Sequence, residues 1–223
     1  MIGLAAQATS ATAATTGVYH PYLNEREREV EYGLIHRDLG GDRVVLHRAS
    51  VGYAWSDRIS TELYLLSDSP SSEGARARAY ELEVKWQLTE QGEYSSDWGI
   101  LFEAELGKDT DEHELAVGVL WEKELLHRWV AAANAMLEYE FGNAVDDEFE
   151  TGFRAQLRYL HAPTLEPAVE LYLDDEDYAI GPALLGAVRI GAGRQVRWEL
   201  GVQFGIGHKT PDASLRTNIE IEF

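Results

Sequence analysis

The sequence predicts an all-β chain: a closed antiparallel transmembrane β-barrel, an up-and-down meander of about twelve strands. Three observations point there. Apolar and polar residues alternate over long runs, the signature of half-buried strands. Each run is near the ~10 residues of a membrane strand. Turn-forming clusters separate the runs, and no stretch has a convincing helical period.

The first strand is expected over 26–38, within "NEREREVEYG". Glu25, Glu27, Glu29 and Glu31 share one face, and Arg26 and Arg28 share the other before Val30, Tyr32 and Leu34. This reads as a strand start whose acids turn inward and whose arginines sit at headgroup level; a docking segment for a partner is the sharper reading. After "GGD" comes 43–55, with Tyr53 and Trp55 near its end, then 58–67 and the turn-rich "SDSPSSEG". The fourth strand, 77–89, sets Leu82, Val84, Trp86 and Leu88 against Glu81, Glu83, Lys85 and Gln87. The fifth, 97–108, follows a long connection and ends at "KDTDE", and the sixth covers 113–125.

The seventh, 128–142, contains alanines that would also suit a helix. Its end returns to period two, with Leu137, Tyr139 and Phe141 against Glu138 and Glu140. After "GNAVDD", the strand 148–161 opposes Phe153, Ala155, Leu157 and Tyr159 to Arg154, Gln156 and Arg158. "APT" precedes 166–175 and 178–191, and "GAG" is a turn before 194–208. There Val196, Trp198, Leu200, Val202, Phe204 and Ile206 oppose Arg197, Glu199, Gln203 and glycines. "KTPD" leads into 213–223.

Composition narrows the function. The 223 residues carry a net charge of −20 and a pI near 4.6. Such a surface repels phosphate backbones, so no nucleic-acid partner is expected. The absence of cysteine removes disulfides, zinc thiolates and thiol nucleophiles. No run reaches the ~18 apolar residues of a membrane helix, a test that does not see membrane strands. Residues 1–24 are expected to be a tail or signal-peptide remnant, and 25–223 a single barrel domain. Ala11-Thr12-Ala13 fits a small-x-small cleavage pattern, although a basic n-region is missing.

The two strand faces allow two structures. In a soluble sandwich or lipocalin-like barrel the apolar face points inward. In a membrane barrel it meets lipid, and charges fill the interior. Strand length favours the second, since several strands carry more apolar residues on one face than a ~5–6-residue soluble strand needs. Aromatics near strand ends (Tyr53, Trp55, Trp98, Trp129, Tyr139, Phe141, Tyr159 and Tyr178) suit interfacial girdles. On this reading the interior is lined by Glu62, Glu81, Glu83, Lys85, Glu103, Glu105, Glu138, Glu140, Arg154, Arg158, Glu170, Arg197 and Glu199. Acids and bases there could offset one another across strands.

The last strand presents Leu215, Thr217, Ile219, Ile221 and a final Phe223 on one face. It resembles the C-terminal signature of Gram-negative outer-membrane β-barrel proteins of a porin-like kind. The resemblance implies an outer-membrane location, contact with lipid and lipopolysaccharide, and recognition of the Phe223 strand by the barrel-assembly machinery. An even strand number would put both termini in the periplasm, with the connections after odd strands facing outward. The 90–97 connection is long for a periplasmic turn. Channels of similar strand number for acidic sugars have basic interiors, a pattern from which these glutamates depart.

No enzymatic motif stands out, and no cofactor or metal is expected. The nearest match to the His-x-Ser pair of outer-membrane phospholipases is "HRAS", whose His47 and Ser50 fall on opposite strand faces. The histidines (His20, His36, His47, His113, His127, His161 and His208) show no ligand spacing. About twelve strands exceed the ~8 whose side chains fill a barrel and fall short of wide porins. A narrow channel for small solutes is therefore the leading expectation. Rings of acidic side chains favour cations, which sets its sign. A non-conducting structural or interaction barrel, a lipid-modifying enzyme and a soluble all-β binding protein are the alternatives.

Overall fold

Period-two segments this long leave every backbone N–H and C=O pointing sideways, toward a neighbouring strand. A sheet satisfies all of them only by closing on itself. The computed structural model, which describes residues 17–39, 42–70, 74–175, 178–206 and 213–223, shows that closure. Twelve strands run in chain order around one ring: β1 (Arg28–Leu39), β2 (Asp42–Ala54), β3 (Ile59–Pro70), β4 (Arg76–Gln87), β5 (Asp97–Gly107), β6 (His113–Leu126), β7 (Trp129–Phe141), β8 (Glu148–Tyr159), β9 (Glu166–Asp174), β10 (Tyr178–Gly191), β11 (Arg194–Gly205) and β12 (Ala213–Glu222). All neighbours are antiparallel, and β12 returns to β1 in a register that pairs Glu29 with Glu222 and Arg37 with Ser214.

The end holding Arg28 and Phe223 is called the near end, and the opposite one the far end. Arg28 and Phe223 exchange backbone hydrogen bonds there, of 3.1 and 2.8 Å. The alanine-rich segment is strand β7, with Val130, Ala132, Asn134, Met136 and Glu138 buried and Leu137 exposed. The long connection between Gln87 and Asp97 lies at the near end and is tied down locally. Gly92 N–H donates to Asp97, and Trp98 N–H to Thr89 Oγ1. The "GAG" stretch is a turn, and Gly193 adopts a φ of 70° that favours glycine. Ala11–Ala13, parts of "GGD" and "SDSPSSEG", "KTPD" and His208 lie outside the described residues.

The outer wall is apolar. Val51, Leu63, Leu82, Phe102, Val119, Leu137, Val169, Leu184 and Ile219 are all exposed. A water-soluble protein rarely shows a continuous apolar patch beyond a few hundred Å². Aromatic residues bracket the band. All six tryptophans lie toward the near end: Trp86, Trp98, Trp121, Trp129 and Trp198 in the near halves of their strands, and Trp55 just past the end of β2. Tyr139, Phe141 and Phe149 cluster at the far end, with ring centroids 4.7–5.6 Å apart. Two belts around an apolar band define the exterior of a membrane barrel.

One contact in the wall is unusually close. Between the pairs Ile180–Phe204 and Ala183–Gly201 the β10–β11 ladder skips two positions. A Cβ on Gly181 would lie 1.7 Å from the Val202 carbonyl oxygen. Gly181→Ala is therefore expected to lower stability by about 1–3 kcal/mol, since the backbones must part to admit a methyl group. Urea unfolding in lipid vesicles measures it, and an unchanged midpoint would contradict the close approach.

Candidate functional site

The inner face is polar at most strand positions and crowded at mid-height. Arg48 Nη2 donates to Glu81 Oε1 and to Glu83 Oε1, both at 2.6 Å, while its guanidinium lies 4.0 Å above the Tyr64 ring. Arg216 Nη2 forks onto Glu170 at 2.8 and 2.9 Å, and its Nη1 reaches Glu199 Oε2 at 2.5 Å. Tyr172 Oη and Gln156 Nε2 also donate to Glu170, at 2.8 and 2.9 Å. Arg158 bridges Glu122 at 3.7 Å and Glu166 at 3.3 Å, and Arg154 lies 3.8 Å from Glu138.

Glu62, Glu81, Glu83, Glu138, Arg154 and Glu170 are buried, and Lys85, Glu103, Glu105, Glu140, Arg158 and Glu199 half-buried, while Arg197 is exposed at the near mouth against Glu222. Several of the ion pairs join strands that are not neighbours in the ring: β2 to β4, β12 to β9, and β8 to β6. Curvature of the wall turns their inner faces toward one another, so long side chains span the strands between them.

Part of the remaining interior space is taken by the chain itself. Residues 17–24 precede β1 and run from the near mouth up into the lumen. Their outermost turn is fixed by Arg26 N–H donating to Ala54 O at 3.0 Å. Leu23 N–H donates to Gln87 Oε1 at 2.7 Å, and Tyr22 Oη to Asp97 Oδ2 at 2.8 Å. Pro21 is fully buried, close to Gly99. His20 Nδ1 contacts Glu122 Oε2.

Tyr19 sits deepest among these contacts. Its N–H donates to Asn134 Oδ1 at 2.8 Å, and Asn134 Nδ2 donates back to its carbonyl at 2.9 Å. Its phenol donates toward Glu83 Oε1 at 2.6 Å, with Glu103 Oε1 at 3.1 Å. The ring packs against an apolar floor of Leu101, Ala116, Leu120 and Met136. Around this waist Glu83, Asn134, Glu170 and Tyr172 are at most 1% exposed. Among the described residues, these side chains are packed closely against their neighbours.

The sequence reading assigned this stretch to a tail and did not see its role, because residues 17–24 carry no periodicity. The available signal was "VYHPYL", a run of aromatic and imidazole side chains with polar tips just before the first strand.

A cavity of about 380 Å³ remains between the segment and the wall at the near side. Its lining includes Glu27, Glu29, Glu31, Glu62, Glu220 and Glu222, with Lys85 and Arg197 among its cations. Glu27, Glu29 and Glu31 of "NEREREVEYG" thus turn inward, whereas Glu25 is exposed beside Arg26. Carboxylate atoms of Glu27, Glu220 and Glu222 come within 4.8 Å of one another, as do those of Glu81, Glu83 and Glu103. Arg197 serves the first group and Arg48 the second.

His47 and Ser50 point to opposite faces, with Ser50 buried in the lumen. On the outer wall His47 instead meets Tyr32 Oη at 2.7 Å and Ser69 Oγ at 3.2 Å, a contact that sequence spacing could not show. The Ser69 and His47 positions lie within the β2–β3 ladder. Among the described residues there, the amides are committed to strand pairing rather than to holding an oxyanion.

These features define a class: a closed twelve-strand membrane β-barrel with a polar lumen. The chain matches no family model and no curated protein. Solved structures share its fold. A KdgM porin in complex with disordered oligogalacturonate superposes with a TM-score of 0.59 at 8% identity, over 87% of this chain and 98% of that one. An outer membrane channel from Pseudomonas putida F1 gives 0.57 at 15% identity, over 90% and 96%. The translocator domain of the autotransporter NalP from Neisseria meningitidis gives 0.53 at 10% identity, over 90% and 88%. The neighbours thus include both channels and a translocator, so the shared fold leaves the activity to be argued from the site.

Proposed function

We propose that this protein is an outer-membrane channel for small solutes, narrow and cation-preferring. The acidic cavity carries this reading: eight glutamates line one space inside a low-dielectric wall and outnumber the five lysine and arginine side chains that line it with them. Carboxylates concentrated in that way raise the local cation concentration. The net charge of −20 acts in the same direction at longer range. Fold similarity to outer-membrane porins and channels supports the location. In that setting lipid and lipopolysaccharide contact the apolar band. Strand β12 with the Phe223 that follows it, where Leu215, Ile219, Ile221 and Phe223 are exposed, is the segment that the barrel-assembly machinery would bind.

The test is conductance of the refolded protein in a planar bilayer under a salt gradient. Discrete steps with a cation-selective reversal potential are expected. Glu220→Gln combined with Glu222→Gln should move that potential toward zero. Anion selectivity would refute the acidic-lumen argument while leaving a channel. The filled waist favours a second reading, a non-conducting structural barrel. Verified insertion without steps in any variant would establish it.

A further inference from the structure

The segment inside the lumen is held by recognition groups as well as by shape. Asn134 is fully buried and meets the Tyr19 backbone at two points, accepting from its N–H and donating to its carbonyl. Two carboxylates meet the phenol, and a third meets the His20 ring. The apolar floor supports the aromatic ring between them. A wall that only needed filling could use apolar side chains from its own strands. Here it carries a carboxamide and three acids that a segment held by no strand pairing contacts, while Arg48 and Arg158 hold Glu83 and Glu122 from the wall side.

We infer that the waist is a binding site for amide-bearing cationic solutes, occupied in this conformation by residues 17–24, which withdraw when a solute passes. This rests on the channel reading and gives it a solute class. Asn134 reads an amide carbonyl together with the N–H one carbon away, Glu83 and Glu103 accept hydroxyl or ammonium hydrogens, and Glu122 faces the cation. The segment acts as an internal competitor, so its grip sets how often the site is open. Its anchors are a few hydrogen bonds at the mouth and waist, while the barrel ladder is complete without it.

The structure supplies a lock. A Cβ on Gly99 would lie 3.1 Å from Pro21 Cβ. That is a few tenths of an ångström inside the ~3.5–4.5 Å of a disulfide. The chain has no other cysteine to compete. The full-length protein carrying Pro21→Cys and Gly99→Cys is reconstituted into liposomes, and swelling is followed with L-tyrosinamide or with tyramine, which lacks the amide. Oxidation, verified by thiol titration, is expected to cut tyrosinamide uptake by at least about tenfold, and reduction to restore it.

Tyr19→Ala loosens the segment without touching the wall. It should raise tyrosinamide uptake several-fold and provides the test if the disulfide fails to form. Tyrosinamide should enter faster than tyramine in the reduced protein. Equal uptake in the oxidised and reduced states would overturn withdrawal and leave the channel standing. A lock-sensitive uptake that ignores the amide would overturn the solute class. No uptake by the reduced protein or by Tyr19→Ala would overturn the inference and the channel reading together.

Discussion

Arginine in place of Val119 is expected to lower the refolding stability of the barrel in a phospholipid bilayer by about 2–4 kcal/mol. Val119 lies midway along β6, 45% exposed, with Ile100 and Ala135 as its cross-strand neighbours. If this surface faced water, an arginine there would stay within about 0.5 kcal/mol of wild type, as exposed substitutions generally do. In hydrocarbon the guanidinium has no local partner and must snorkel or draw water inward. Urea titration in vesicles, followed by tryptophan emission, reads the difference. A change below 1 kcal/mol, on the order of an ordinary surface substitution, would mean that the apolar band does not meet lipid.

The second large effect lies inside. Arg216→Met is expected to destabilise the barrel by about 3–5 kcal/mol, because it strands two carboxylates in a buried site. Arg216 is 3% exposed, and both Glu170 and Glu199 depend on it. Glu170 keeps the Tyr172 hydroxyl and the Gln156 amide, so its remaining hydrogen bonds soften the loss without neutralising the charge. The control is Arg216→Met with Glu170→Gln, which should recover a substantial part of the stability. Residues that share one network couple in that way. If the double variant were no more stable than the single one, stranded charge would not be the cause.

The wall of this barrel was legible because period two acts residue by residue. Leu82 and Glu83 differ in environment simply because consecutive side chains point to opposite faces. Even the alanine-rich β7 followed, since Glu138 and Glu140 fix its parity. The pairing of the interior charges was less legible. Sequence reasoning held only that acids and bases could offset one another across strands and named no pairs; Arg48 skips β3 to reach β4, and Arg216 passes over β11 and β10 to reach β9. Those contacts depend on curvature and on side-chain length, neither of which alternation encodes. The occupied waist was least legible. Tyr19 finds Asn134 across 115 residues of chain, and a segment without strand period gives no hint of which wall it will meet.

The one-sided distribution of tryptophan has an optical consequence. Every indole sits toward the near end, so the intrinsic fluorescence of the protein reports on one membrane interface only. A quencher confined to one leaflet, such as a brominated lipid introduced from one side of a vesicle, should dim either most of the emission or little of it. The native chain therefore carries its own orientation marker, and the sidedness of insertion can be read without attaching a label.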